Sequence, residues 1–356
     1  MATQPLWEST HLLLNEINSE SICLDNIKCL IRDKGVPAEE GCVRSALWSI
    51  LLDIIPRQRS AWSTCLAEKQ LEYSKFCDEF NIDPDSAESG PPDASDHPLS
   101  TNSSSKWKQY FEDKEMKEQI DRDIDRTHPD LNFFSGDFRG ISHRAKMSRS
   151  LFIFYKLNPG IRYVQGMNEI YAVIYYVLGS AKSKNGVDEG LLEALDGDPE
   201  VLAFFGFVNI MSEFRDNFCL QLDKSKLGIS GMMNKVSQLL RGFDAVLWKH
   251  LEETLQLSPQ LYAFRWVTTL FTQEFVLPDL VAIWDQMIAE DGSRRDFVLR
   301  FCAAMVLLQR DSLLKSDFSG AIKLLQNYPA SEVSDIIRYS LQLKDYRRII
   351  VMDDDD

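Results

Sequence analysis

The sequence lacks the residue patterns that mark disulfide and metal chemistry. Its seven cysteines are scattered, odd in number and without a CxxC pair, so we expect a reducing compartment and neither a disulfide framework nor a zinc ribbon. They stand at positions 23, 29, 42, 65, 77, 219 and 302. The five histidines are isolated and no H-E-x-x-H motif occurs, so no metal site is expected either.

Positive charge and long apolar runs are also scarce. The chain has 39 lysines and arginines against 54 aspartates and glutamates, and its net charge of −15 argues against nucleic acid or an anionic membrane as the main partner. A protein partner with a basic patch is compatible with this charge, although acidity alone more often serves solubility. No apolar run approaches the ~18 residues of a membrane span, and the N-terminus has no signal-peptide pattern. We therefore expect a cytoplasmic protein without an integral membrane segment.

Helical periodicity, in contrast, is present almost everywhere. Apolar residues recur at i, i+3, i+4 and i+7 from Val43 to Ile54, and Pro56 closes that predicted helix. The same spacing predicts further helices over 243–257, 260–275, 278–292, 295–310 and 331–348. No sustained period-2 alternation is bounded by turns. These patterns predict an all-α protein without internal repeats.

Three stretches have the composition of loops or tails. Half of residues 82–105 are Pro, Gly or Ser, and the segment has no Lys or Arg, so we predict a disordered loop. Residues 181–200 are rich in glycine and charge and predict a boundary between subdomains. The acidic tail at 351–356 is interpreted as a solvated, inert end.

One predicted helix carries a charged pair at its end. Ile120 and Ile124 lie on its apolar face, and His128, which precedes a proline, is disfavoured in helical geometry, so the helix should end near Arg126. Asp123 stands three residues before Arg126, close enough to pair with it. Taken alone, Arg126 is most simply a surface salt bridge, which contributes little.

A second polar residue, Gln165, stands in a short loop between an NPG turn and a long apolar helical run. Gly166 follows it directly, so the loop lies close to the N-terminus of a helix. Free backbone N–H groups point outward at such a terminus and favour anions. The simpler interpretation of Gln165 is a helix-start residue that bonds to the backbone.

The two residues together fit one chemistry, because GTP hydrolysis uses an arginine to neutralise developing phosphoryl charge and an amide to orient the attacking water. The I-x-x-D-x-x-R and Y-x-Q-G motifs resemble the paired catalytic motifs of the TBC domain, the Rab GTPase-activating protein family. The motif residues are Ile120, Asp123, Arg126, Tyr163, Gln165 and Gly166. Two other elements resemble the family's G-x-P…R-x-x-x-W and W-x-x-x-L-F…W-D…G blocks. They comprise Gly35, Pro37, Arg44, Trp48, Trp266, Leu270, Phe271, Trp284, Asp285 and Gly292.

The resemblance implies a multi-helical TBC fold with two helical subdomains. It places both finger motifs in the first subdomain, with the loop at 82–105 extruded from it. The implied divisions are a helical extension at 1–27, a TBC domain at 28–350 made of subdomains 28–180 and 181–350, and the tail at 351–356.

The resemblance also implies a role for each motif residue. Arg126 would enter the GTPase active site in trans as an arginine finger, and Gln165 would replace the GTPase's own glutamine and orient the water. Asp123 would hold Arg126, and Ile120 belongs to the same motif. Tyr163 and Gly166 would shape the loop that presents Gln165. Arg44 and Trp48, four residues apart on one predicted helix, are interpreted as architectural, with Trp48 packing and Arg44 bonding beneath the site.

The expected partner is a Rab-family small GTPase in its GTP-bound state. The stretch 228–235 has two glycines and a lysine but not the Walker spacing, so the nucleotide and its Mg²⁺ would belong to the partner, and the chain would have no cofactor of its own. Five other arginines are candidates for contacting the GTPase, although each taken singly is more often a solvated charge. They are Arg122, Arg139, Arg144, Arg149 and Arg162.

The function that follows is acceleration of GTP hydrolysis by a Rab, regulating vesicle traffic, by a monomeric protein recruited peripherally to endomembranes. A non-catalytic Rab-binding scaffold with the same fold is the first alternative. Arg126 and Gln165 count against it, since a scaffold needs neither side chain. An α-helical adaptor unrelated to GTPases is the second alternative.

Overall fold

The computed structural model describes residues 6–37, 41–80, 106–180, 197–218 and 228–346. Sixteen α-helices lie within these ranges. In chain order they are α1 (Leu6–Ile17), α2 (Leu24–Lys34), α3 (Gly41–Leu51), α4 (Trp62–Phe80), α5 (Lys106–Arg126), α6 (His143–Leu157), α7 (Met167–Gly179), α8 (Pro199–Phe214), α9 (Ile229–Phe243), α10 (Ala245–Trp248), α11 (Ala263–Thr268), α12 (Leu277–Ile288), α13 (Arg294–Leu308), α14 (Arg310–Leu313), α15 (Phe318–Gln326) and α16 (Val333–Gln342).

Extended structure is limited, in the described part of the chain, to an isolated bridge and one hairpin of two-residue strands, β1 (Asp137–Phe138) and β2 (Ile141–Ser142). The predicted all-α class is therefore confirmed. Within the described ranges, no helix combines the length and the apolar composition that crossing a bilayer requires. The predicted disordered loop at 82–105 and the tail at 351–356 lie outside the described residues, and the division into subdomains stays a prediction.

The packing of the helices places two chain segments side by side. Helix α5 packs against α6 and α7, and α7 packs against α8. The last residue of α5 and the residues just before α7 therefore meet at one end of this group. Helix α3 packs against α7 from another side and also contacts α12. A second group of helices, in which α13 packs against α9 and α16, adjoins the first through α12 and α13.

One predicted helix ends earlier than its apolar pattern. The pattern over 43–54 continues to Pro56, but α3 ends at Leu51, and Asp53 adopts a left-handed conformation with φ of 53°. Ile54 is nevertheless fully buried, because the chain turns back and its N–H donates to the carbonyl of Ser49 at 2.8 Å. Ile54 is therefore buried without being helical, and its position in the sequence matches the apolar spacing that a longer helix would show.

The segment 243–257 is not the continuous helix that its spacing predicts. Phe243 ends α9, and the carboxylate of Asp244 begins a new helix by accepting the N–H of Leu247 at 2.9 Å. The helix then widens into a π-helical turn at Lys249–Thr254, which shifts the register of the apolar face. Val246, predicted to lie on that face, is 64% exposed.

The predicted helix at 260–275 is also broken. Pro259–Leu261 forms a 3-10 turn and Ala263–Thr268 a short α-helix, which cannot continue because Leu270 and Phe271 take positive φ values of 49° and 68°. The indole N–H of Trp284 donates to the carbonyl of Leu270 at 3.0 Å and so holds this unusual turn. The three remaining predictions, at 278–292, 295–310 and 331–348, correspond to α12, α13 and α16.

Candidate functional site

Helix α5 ends at Arg126, as the sequence predicts. Ile120 and Ile124 face the core and are 0% and 2% exposed, whereas Arg126 is on the exposed side. Its guanidinium Nε donates to the carbonyl of Arg122, one turn earlier, at 3.2 Å. The cation thus stands at the negative end of a helix dipole, where a positive charge is favoured, and its other N–H groups face solvent.

The predicted ion pair between Asp123 and Arg126 is not formed. Asp123 is 8% exposed and its Oδ2 accepts the hydroxyl of Tyr163 at 2.9 Å. In the described part of the chain, no acidic side chain lies within bonding distance of Arg126. A buried phenol must have a partner, whereas an exposed ion pair contributes little, so Asp123 turns inward to Tyr163.

The end of α5 is fixed from outside the helix. His128, just before a proline, has a left-handed φ of 41°, so it departs from helical geometry as predicted, although not into the extended region that a following proline favours. Arg144, near the start of α6, donates to the carbonyl of Ile124 and, at 3.2 Å, to that of Thr127. The Ile124 carbonyl, in the last turn of α5, also accepts the N–H of Thr127 at 3.0 Å, and Thr127 is the first residue past the helix. The guanidinium of Arg144 therefore caps the helix that carries Arg126.

The loop before α7 presents Gln165 to solvent. Gly166 is the N-cap of α7, with φ of 103°, and its neighbour Gln165 is exposed while Tyr163 is 4% exposed. The alternative in which Gln165 bonds to the backbone at the helix start does not hold. Among the described residues, the Gln165 side chain has no hydrogen-bond partner.

Gly166→Ala should destabilise the fold through backbone strain. A methyl group at Gly166 would meet Thr269 Cγ2 at 3.7 Å, an ordinary contact, so the penalty comes from the positive φ alone. We expect the free energy of unfolding in a denaturant titration to fall by ~1–3 kcal/mol. Gly160→Ala is the matched control, because it lies in the preceding turn without a positive φ or a close neighbour. Equal losses in both variants would contradict the strain at Gly166.

One side chain joins the two segments. Asn168, 4% exposed, accepts the N–H of Gly166 at 3.0 Å through Oδ1. Its Nδ2 donates to Oγ1 of Thr127 at 2.8 Å, just past the end of α5. Tyr163 forms a parallel link, since its hydroxyl lies 2.9 Å from Asp123 and 3.2 Å from Asn168 Oδ1. The residues beside Arg126 and beside Gln165 are therefore tied by buried hydrogen bonds.

The ionisable groups behind the two exposed side chains are biased toward their neutral forms. Burial, reinforced by the Asp123 carboxylate, raises the pKa of Tyr163 well above its ordinary value. Burial and Asp123 also raise the pKa of Glu169, while burial and the nearby Arg144 lower the pKa of His128. The charges that remain in this layer are the Asp123 carboxylate and the Arg144 guanidinium, which cause part of these shifts.

Arg44 and Trp48 lie on α3, which packs against α7, and both bond to one carboxylate on α12. Arg44 Nε lies 3.2 Å and 3.1 Å from the two oxygens of Asp285, and Trp48 Nε1 donates to Oδ1 at 2.8 Å. The ring of Trp48 stacks on Trp284 with centroids 5.8 Å apart. Burial raises the pKa of Asp285 to about 6, and Arg44 and Trp48 oppose that shift. We call these four residues the Asp285 clasp.

The other arginines divide into two groups. Arg144 caps α5, and Arg149 makes a bidentate contact with the buried Glu200, with N···O distances of 2.6 Å and 2.5 Å, so both guanidinium groups serve the interior. Arg122, Arg139 and Arg162 are exposed. Of the five arginines, only these three remain candidates for contacting a partner.

Sequence reasoning missed Asn168, Thr127 and the capping role of Arg144. Asn168 had a signal, since it is a short polar residue at the start of an otherwise apolar helix, and such residues at helix starts commonly bond to nearby backbone. Thr127 and Arg144 had none, because their partners depend on how α5 and α6 cross.

The site is a pair of exposed side chains rather than a cavity. Two clefts in the described part of the chain, one between α4, α5 and α6 and one between α2, α12 and α16, are lined by neither Arg126 nor Gln165. Across the same residues, no group of three His, Cys, Asp or Glu side chains could hold a metal ion. A protruding arrangement of this kind suits action on another macromolecule better than capture of a small substrate.

Known proteins resemble this chain in family pattern, in sequence and in fold. The model of the RabGAP-TBC family, described as the Rab-GTPase-TBC domain, matches residues 42–314. TBC1 domain family member 13 from Mus musculus is 34% identical, with 92% of this chain and 96% of the relative covered. The Homo sapiens protein of the same name is 33% identical over the same shares. The crystal structure of the Ypt/Rab-GAP domain of Gyp1p superposes with a TM-score of 0.75 at 20% identity, covering 98% of this chain and 100% of that one.

Proposed function

Because the chain belongs to the RabGAP-TBC family, we propose that it accelerates GTP hydrolysis by a Rab-type GTPase by supplying Arg126 and Gln165 in trans. The observation that carries the proposal is the pairing of these two exposed side chains on segments tied together by buried hydrogen bonds. An arginine and an amide held near one another are the groups that phosphoryl transfer to water requires.

Arg126 acts on the charge of the transferring phosphoryl group. Among the described residues, the hydrogen bond to the Arg122 carbonyl is the one contact of its guanidinium, and that bond uses Nε alone. Because no ion pair with Asp123 has to be broken, the planar N–H groups can reach a phosphate oxygen at little cost.

Gln165 orients the attacking water. The left-handed Gly166 turns the backbone so that the preceding side chain points away from the buried Tyr163. The amide offers both a donor and an acceptor, which lets it position a water for in-line attack. In this mechanism the nucleotide and its Mg²⁺ are the partner's, and the chain contributes no cofactor. It would act from the cytoplasm, recruited peripherally to the membrane that carries the Rab.

The test is a hydrolysis screen over a panel of GTP-loaded Rab GTPases. Wild-type protein should raise the single-turnover rate of at least one Rab, and Gln165→Ala should lower the stimulated rate by ~10²–10³-fold, the usual effect of removing one preorganised hydrogen-bonding group. Gln238→Ala, an exposed glutamine on α9, is the control and should retain full activity.

Two results would count against the proposal. Binding of GTP-loaded Rab without any rise in hydrolysis across the panel would identify a scaffold. Unchanged stimulation in Gln165→Ala would remove the role given to the amide.

A further inference from the structure

Asn168 occupies a buried position, which disfavours an amide side chain. It lies in the first turn of α7 among buried apolar residues and is 4% exposed. A buried amide is retained only when its donors and acceptor are satisfied. Here all of its partners belong to the two segments that carry Arg126 and Gln165.

The orientation of the Asn168 amide follows from its partners. The N–H of Gly166 can only donate, so the atom 3.0 Å from it must be the carbonyl oxygen, Oδ1. Oγ1 of Thr127 donates its own proton to the carbonyl of Asp123 at 2.8 Å and therefore accepts from Nδ2. Both assignments agree, which leaves one arrangement of donors and acceptors.

These bonds form a short chain between the two exposed side chains. From Gln165 the path runs through the N–H of the next residue to Asn168, then to Thr127, which directly follows Arg126. The Tyr163–Asp123 bond lies beside this path but joins positions two and three residues away from the exposed side chains. Asn168 is thus the link nearest to both.

We propose that Asn168 is a positioning residue that holds the end of α5 and the loop before α7 in fixed relation, so that Arg126 and Gln165 reach one GTPase together. The inference rests on the function proposed above. Asn168 touches no reacting atom in this account and acts through the backbone on either side of it. A displacement of about 1 Å between catalytic groups can lower a rate ~10²-fold.

Kinetics of stimulated hydrolysis test the proposal. Asn168→Ala should lower kcat by ~10²-fold, with the KM for GTP-loaded Rab changed less than about threefold, since docking contacts remain. Thr127→Val removes only the hydrogen bond between Asn168 and the residue after α5, and kcat should fall by a similar factor. Thr127→Ser keeps the hydroxyl and should retain activity. In a Gln165→Ala background, the further loss from Asn168→Ala should shrink, because one of the two groups it positions is already absent.

Asn209→Ala is the matched control. Asn209 lies on α8 and its amide also bonds to a backbone carbonyl, that of Leu52, away from the site. It should lower the thermal midpoint as Asn168→Ala does without the selective fall in kcat. Full kcat in a folded Asn168→Ala protein, or equal losses in Asn209→Ala, would overturn the proposal.

Hydrogen exchange provides a readout that does not depend on GTPase activity. In Asn168→Ala the amides of Gly166 and of the last turn of α5 should exchange at least ~10-fold faster, while amides in α13 keep their protection. In Thr127→Val, Gly166 should stay protected although hydrolysis is lost. If wild-type protein stimulates no Rab, the proposed function fails. Unchanged hydrogen exchange at either segment of Asn168→Ala would separately reject the positioning role of Asn168.

Discussion

Arg126→Ala should abolish most of the stimulated hydrolysis, with a fall of ~10³–10⁵-fold in rate, or about 4–7 kcal/mol of transition-state stabilisation. The loss should lie in kcat, with the KM for GTP-loaded Rab nearly unchanged, because the guanidinium acts on charge that develops only in the transition state. Arg126 is exposed and α5 is capped by Arg144, so the thermal midpoint should not move.

Two further variants sharpen this experiment. Arg126→Lys keeps the charge but not the planar fork, so it should remain strongly impaired if bidentate geometry matters. Arg338→Ala is the matched control, because this arginine lies on α16, outside the two segments that carry Arg126 and Gln165, and its side chain is 71% exposed in a surface pair with Asp335. It should retain full activity. Activity of Arg126→Ala within a few-fold of wild type would refute the arginine finger.

Asp285→Ala should cost ~3–5 kcal/mol of folding free energy, because it leaves the charge of Arg44 buried and unpaired. Arg44 and Asp285 are 9% and 3% exposed, so water can replace little of the lost interaction. The Trp48 N–H would lose its acceptor as well. Denaturant titration, read as a shift of the midpoint at constant slope, measures the effect.

Two further variants separate the effect of removing the whole ion pair from the effect of removing one of its members. Replacing both charges with apolar side chains, in Arg44→Met with Asp285→Leu, should recover most of the stability, since no charge is then left buried. Asp311→Ala, the same substitution at a side chain that is 86% exposed, should change stability little. A mild effect of Asp285→Ala would show that Arg44 reaches solvent instead.

The sequence predicted those features of the fold that depend on residues close together in the chain. The proline after His128 ended α5 at the right residue, and the glycine after Gln165 predicted the turn that begins α7. Apolar spacing also located α3, α12, α13 and α16. It erred at Ile54, which follows a turn, and at Val246, which lies in the new helix that Asp244 begins. Burial is what the spacing reports, and burial does not require an unbroken α-helix.

The partners of buried polar groups were beyond such rules. Asp123 was expected to pair with Arg126 three residues away, yet it bonds to Tyr163, at a separation of 40 residues. Thr127 and Asn168 are 41 residues apart, and neither has a local pattern that names the other. A short polar side chain can form hydrogen bonds with many different groups. Which group it meets is decided only by the way α5 crosses α7. The exposure of Arg126 and Gln165, in contrast, follows from their positions at a helix end and just before a helix N-cap.

The Asp285 clasp has a consequence for biosynthesis. Arg44 and Asp285 are separated by 241 residues, so at a synthesis rate of ~5–20 residues per second α3 waits roughly 10–50 s for its acceptor to leave the ribosome. During that interval Trp48 and a bare guanidinium remain without the partners that bury them. The nascent first half is therefore a natural client for chaperones, and completion of the domain depends on a helix translated late.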